Sequence, residues 1–374
     1  MFPTWPNYAL PKSATANFGW RSGGGRDPHR IALGAKYDRA MTETRADTAS
    51  LTERTRPIAP GGLVAAVHFL KDTAAFVLGE EALLLVAPNG EQRRVPVHAG
   101  GILGTACDGQ SLVTGGDDGT VMATDRDAAS AAVAVDPKRR WIDRVAIGSG
   151  AIAWSAGKQA FVKTAKGEER TIEVASSVGG LAFAPKGFRL AIAHYNGATL
   201  WFPNAAAVPE RLEWKGSHLA ATFSPDGKFL VTAMQEPTLH GWRLADGKHM
   251  RMAGYAGKVR SLDWTADGDW LATGGSNQLI LWPFAGKDGP LGKMPRMLAP
   301  SQALATAVAC QPRQPVVAVG FADGLVLLVR LEDGAEIVAR RPGAAPVSAL
   351  AWNTTGSLLA FGTEDGEAGI VDLG

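Results

Sequence analysis

The chain has 374 residues, 46% hydrophobic and 20% charged, enough to bury one large core or two ordinary ones. Its formal net charge of +2 offers no global field to nucleic acid or an anionic membrane. No apolar run reaches the roughly 18 residues of a membrane span, and 45 glycines suit a chain full of turns better than a helical one.

Residues 1–50 carry Pro, Gly and Ser breaks and no sustained helical or strand period. They read as a disordered tail without a secretory signal, since no charged n-region precedes an apolar h-region. Five aromatics, Phe2, Trp5, Tyr8, Phe18 and Trp20, stand in its first 20 residues. Two explanations of them remain open: a short docking motif, or a true translation start at Met41, where an ordinary polar stretch begins.

From Glu53 onward the chain repeats. The unit is best formed over residues 219–244, LAATFSPDGKFLVTAMQEPTLHGWRL. It reads as three short strands separated by Pro, Asp and Gly turns, the mark of tightly meandering antiparallel sheet. We align units on the bulky residue ending the first strand: Phe69, Cys107, Ile147, Phe183, Phe223, Trp264, Cys310 and Trp352. The steps are 38, 40, 36, 40, 41, 46 and 42 residues, the period of four-stranded propeller blades. A third-strand column follows at Val86, Thr124, Thr164, Trp201, Trp242, Trp282, Val329 and Val371, with a more polar fourth strand in seven units. The last unit stops at Gly374 without a fourth strand, and residues 54–59 supply a candidate, which would join the two ends of a ring. The expected fold is an all-β propeller of four-stranded antiparallel blades, a single domain over residues 51–374. Eight blades are expected, with seven as the alternative because the third unit is weak.

The units resemble WD40 repeats. That resemblance implies a buried hydrogen-bonded set in each blade: a His before the first strand, a Ser/Thr in the second, a turn Asp and a third-strand Trp. Here the set is fragmentary. In unit two His98, Thr114 and Asp118 fit, but Thr124 replaces the Trp. In unit six Tyr255 stands where the His would, with Thr273 and Trp282 and no Asp. The Trp-Asp pair itself never occurs.

Catalytic chemistry finds no local motif. The seven His residues are scattered, with no HExxH and no Cys/His spacing for zinc. Gly115–Gly119, GGDDG, reads as a turn with Gly119 at positive φ before it reads as a calcium loop. No GxSxG occurs. Cys107 and Cys310 lie in apolar strands and read as buried, reduced thiols. No catalytic, metal or cofactor residue is therefore expected, and no cofactor.

Binding remains, because a rigid disc fixes many loops. By resemblance, the loops joining fourth to first strands (d–a) and second to third strands (b–c) share one face. The d–a loops offer Lys138, Arg139, Arg140 and Trp141, then Tyr255, Lys258 and Arg260. The b–c loops offer Lys158 and Gln159, His194 and Tyr195, Gln235 and Glu236, and Phe321. Trp, Tyr and Arg dominate interface energetics, and basic plus aromatic character favours an acidic protein segment over nucleic acid. Two of these have competing readings: Trp141 as the apolar start of an inner strand, and Tyr255 as a buried structural residue. Trp201, Trp242, Trp264, Trp282 and Trp352 read as core. The expected function is a non-catalytic scaffold, cytoplasmic and monomeric by itself, that binds an unknown protein or peptide on this face. The alternative is an enzyme or small-molecule sensor with its site in the central channel.

Overall fold

The computed structural model describes residues 49–374. The tail expected over residues 1–50, its aromatics and Met41 lie outside the described residues, except at the last two positions. Those two are tied down. Val338 donates its N–H to the Ala49 carbonyl at 2.8 Å, and Leu51 donates to Val338 at 2.8 Å, so the chain enters along the outer strand of unit seven.

Each repeat folds as a meander in which neighbouring strands pair antiparallel. In unit one, Val64–Leu70, Thr73–Leu78, Ala82–Val86 and Gln92–Pro96 follow one another from the inside outward. The two middle strands are buried on both faces and are therefore apolar throughout, whereas the outer strand is mostly exposed and polar. Inner strands of successive units stand side by side, and Val64–Leu70 lies against Val347–Trp352, so first and last units are neighbours. Thr55–Ile58 pairs with Ala368–Asp372, from Thr55 opposite Val371 to Ile58 opposite Ala368.

Among the described residues the hydrogen-bonded sheets number seven, not the eight blades expected from the repeat count. Units four and five run into one six-stranded sheet, because the 14 residues of Glu210–Phe223 form one strand with no loop inside it. Its first half pairs with Gly197–Leu200 and its second with Leu230–Met234. The inner strands of units four and five also approach closely: a Cβ on Gly179 would lie 2.0 Å from the His218 carbonyl oxygen, and one on Gly180 2.7 Å from the Ala220 Cα.

Turn chemistry explains the recurring phrase. In SPDG the Ser224 hydroxyl accepts the Phe229 N–H at 3.0 Å and donates to Asp226 at 2.7 Å. Thr265 repeats both bonds with Trp270 and Asp267, and Asn353 accepts the Leu358 N–H at 3.0 Å. Each turn closes on a glycine at positive φ, Gly227, Gly268 or Gly356, a conformation that costs other residues energy.

Around the axis, side chains of inner strands bond to the next strand's backbone. Ser348 donates to the Val64 carbonyl at 2.5 Å, Thr306 to Val347 at 2.6 Å and Arg144 to Gly179 at 2.6 Å. Trp264 and Trp352 belong to this girdle more than to the core. Both are half-buried, and their indole N–H groups donate to Thr222 and to the Ala309 carbonyl, each at 3.0 Å. Trp201, Trp242 and Trp282 are buried as expected. Both cysteines are free, with Cys310 buried and Cys107 half-buried, and burial pushes both thiols up. Among the described residues no helix is long and apolar enough to cross a membrane.

Candidate interaction surface

Polar networks hold the loops of one face in place. In unit two His98 Nε2 meets Thr114 Oγ1 at 2.8 Å, while Nδ1 faces Thr120 Oγ1 at 2.9 Å and Asp118 at 3.1 Å. Burial alone would raise the Asp118 carboxyl. The Ala99 N–H, both donors of Thr120 and His98 outweigh it and hold the group at about 2. A Cβ on Gly116 would stand 2.4 Å from His98 Nδ1, so the network needs glycine there. Thr124, in the Trp column, bonds to Ser130 instead at 2.8 Å.

Unit six builds the same support with different atoms. Trp282 donates its indole N–H to the Tyr255 hydroxyl at 2.6 Å, that hydroxyl meets Thr273 at 2.9 Å, and Thr273 donates to the Ile280 carbonyl at 3.3 Å. Tyr255 thus takes the structural role, one of its two readings. Unit five holds a third network that the repeat alignment misses: His218 Nδ1 meets Thr232 Oγ1 at 2.7 Å, and Nε2 meets the Trp214 carbonyl at 3.0 Å. Beside it His240 is wholly buried, stacked on Trp214 at 4.0 Å, with neither ring nitrogen hydrogen-bonded. Burial, then the nearby His249, His218 and Arg251, lowers it to about 3. It is a neutral imidazole.

The d–a and b–c loops touch one another in three units. Arg140 donates to Gln159 at 2.8 Å, Lys258 to Gln235 at 2.8 Å, and the Tyr195 N–H to Ser176 at 2.8 Å. Arg139, Trp141, Lys158, Glu236 and Arg260 are exposed, Trp141 by 67% and Tyr195 by 51%. That exposure sets aside the reading of Trp141 as an inner-strand residue. Arg139 sits at φ +51° against Gly119, whose own φ is +79° and whose Cβ would fall 2.8 Å from the Arg139 Cα. Arg140 is less free than expected, because Asp136 holds it bidentately, the closer contact 2.6 Å.

Phe321 is a correction. It closes the strand Val316–Phe321 and is 0% exposed, packed between units six and seven among Ala305, Val319 and Leu325. His194 is likewise buried, bonded to Thr199 and to the Tyr195 carbonyl.

Of the exposed candidates, the structure gathers Tyr195 and Glu236 around one cavity of ≈ 380 Å³, which Trp214 and Lys215 complete. A second cavity of ≈ 630 Å³ opens on the flank between units five and six, and Trp214 is a wall of both. Neither gathers two carboxylates or two histidines. What the first presents is an aromatic body with an ammonium and a carboxylate at its rim, a set for recognition by burial and charge.

The family model for the WD domain, G-beta repeat, matches residues 248–283, and the model for the anaphase-promoting complex subunit 4 WD40 domain matches residues 308–374. The first match ends on the third strand of unit six, and the second spans units seven and eight. No curated protein matches the chain. Among solved structures, the crystal structure of the computationally designed Ika8 protein is similar, with a TM-score of 0.69 and 17% identity. The match covers 84% of this chain and 97% of that one. It is a likeness of fold.

Proposed function

We propose, on the premise that this chain is a WD40-repeat β-propeller, that it is a non-catalytic scaffold whose d–a/b–c face binds a protein or peptide. WD40 propellers generally mediate protein–protein interaction. The observation that carries the finer reading is the cavity of ≈ 380 Å³ with Tyr195, Trp214, Lys215 and Glu236 at its rim. Tyr195 lies within the strand Leu190–Trp201, opposite Ser217 and half exposed, where burial against a partner gains area at little entropic cost. Arg139, Arg260 and Lys258, in the d–a loops of the same proposed face, add cationic groups that suit an acidic segment. The reading takes residues 51–374 as one folded domain, monomeric and cytoplasmic.

Affinity capture tests this with the wild-type chain beside the triple variant Tyr195→Ala, Arg139→Ala, Arg260→Glu, each checked for folding by circular dichroism. All three positions are exposed, so the variant is expected to fold. Captured partners should fall at least tenfold, since removing one anchor at an interface centre costs about 2 kcal/mol or more. An unchanged set of partners with a folded variant refutes the site.

A further inference from the structure

We propose that the flank between units five and six is a second docking surface, for an extended acidic peptide segment carrying apolar side chains. Its cavity is separate from the one just described, sharing with it only the Trp214 wall.

The groove exists because unit six has almost no outer strand. Arg296–Leu298 is three residues long and covers its neighbour only as far as Leu281, opposite Arg296. Trp282 and Pro283 continue the third strand with no pairing residue on that side. In unit one, by contrast, the outer strand pairs with all five residues of Ala82–Val86. The chain that would have covered Trp282 forms the far wall instead and carries Met294, 82% exposed, while the short strand adds Met297, 53% exposed. The cavity left is ≈ 630 Å³.

Its near wall says how a ligand would lie. Residues 249–254 line it consecutively. A cavity over one face of a strand touches alternate residues, because side chains alternate; a consecutive lining means that the cavity runs along the strand's edge. That strand, His249–Ala253, is the last of its sheet, so one side of its backbone has no strand partner. An extended peptide can pair there and send alternate side chains into the groove, the strand-addition mode of peptide recognition.

Wall chemistry selects the side chains. Trp214, Tyr255, Trp282 and the methionines give an apolar floor, and unbranched methionine adapts to differing shapes. Arg251 and Lys293 flank it, and no carboxylate is in the lining. The groove is thus matched to apolar side chains interleaved with carboxylates.

The test uses the full chain and fluorescence anisotropy with three labelled ten-residue peptides. One alternates aspartate with leucine and phenylalanine; one has lysine for aspartate; one has serine for the apolar residues. The first should bind, with each control about tenfold weaker or worse, as expected when charge or apolar anchors are removed. Arg251→Glu with Met294→Glu, both exposed and outside the folded core, should weaken the first peptide at least about tenfold and leave the thermal unfolding midpoint unchanged. Tyr195→Ala with Arg260→Glu should leave its affinity unchanged, which separates this surface from the proposed face. Equal binding of all three peptides, no binding of any, or loss on the face variant alone overturns the proposal. So does a concentration-dependent dimer in sedimentation that Met294→Glu abolishes, since a second copy would then be the occupant.

Discussion

Replacing Tyr255 with phenylalanine tests whether a phenol has taken over the blade-bracing role in unit six. The substitution removes one oxygen and leaves the ring. Trp282, 6% exposed, then keeps an indole N–H with no acceptor, and Thr273, fully buried, loses its contact at 2.9 Å. A buried donor left unsatisfied costs about 1–3 kcal/mol, and this is the expected loss. Thr273→Val should cost less, because Tyr255 lies near the groove and its hydroxyl can find water. In the double variant the two losses overlap, with a coupling of about 0.5–2 kcal/mol. Burial pushes the phenol up to about 12, so it keeps its proton at neutral pH and titration does not confound the comparison. Guanidinium unfolding followed by tryptophan fluorescence and by far-UV circular dichroism supplies midpoints and a check on two-state behaviour. A single-variant loss below about 0.5 kcal/mol together with additive losses would refute the network.

Three further outcomes are expected. His240 is lowered to about 3 by burial; a base depressed on folding contributes stability that is present above about pH 6.5 and lost as pH falls toward 3, at about 1.4 kcal/mol per unit. His240→Phe should flatten the decline in unfolding midpoint between pH 7 and about pH 4.5, and an equal decline in both proteins would contradict the assignment. Asp263 is raised to about 6 by burial against the opposing N–H groups of Cys310 and Trp264. An acid raised on folding favours the fold at low pH and loses that advantage as pH rises through 6, so Asp263→Asn, which keeps only one of the two acceptor oxygens, should remove this pH dependence and flatten the change in unfolding midpoint between about pH 4 and pH 8. Thermal melts at the two pH values decide it. Finally, Phe321→Ala should cost about 3–5 kcal/mol in denaturant unfolding, whereas a surface role would leave stability nearly unchanged.

The architecture was legible in the chain because the turns between first and second strands are chemically constrained. A residue with a side-chain acceptor at Ser224, Thr265 or Asn353 and a glycine at positive φ three residues later fix the phase of each unit. Strand ends were less legible. From the sequence Phe321 reads as a b–c loop residue, whereas it is the last residue of the strand Val316–Phe321 and packs against unit six. The network of unit five escaped for a related reason. His98 and Tyr255 stand nine residues before the ends of their inner strands and His218 only five before Phe223, because no d–a loop intervenes there. The groove could not be read at all. It is bounded by residues near 214, 250, 282 and 294, and it follows from pairing that fails to occur, for which linear sequence has no sign.

The loopless passage through Glu210–Phe223 also bears on how this ring can be cut and rejoined. Most junctions between units are surface connections, where new chain ends would sever little backbone bonding, so permuted versions beginning there should still assemble. Cutting within residues 214–218 would part the half of the strand bonded to unit four from the half bonded to unit five and free the His218 bracing. Units four and five are thus best inherited, exchanged or engineered as a pair.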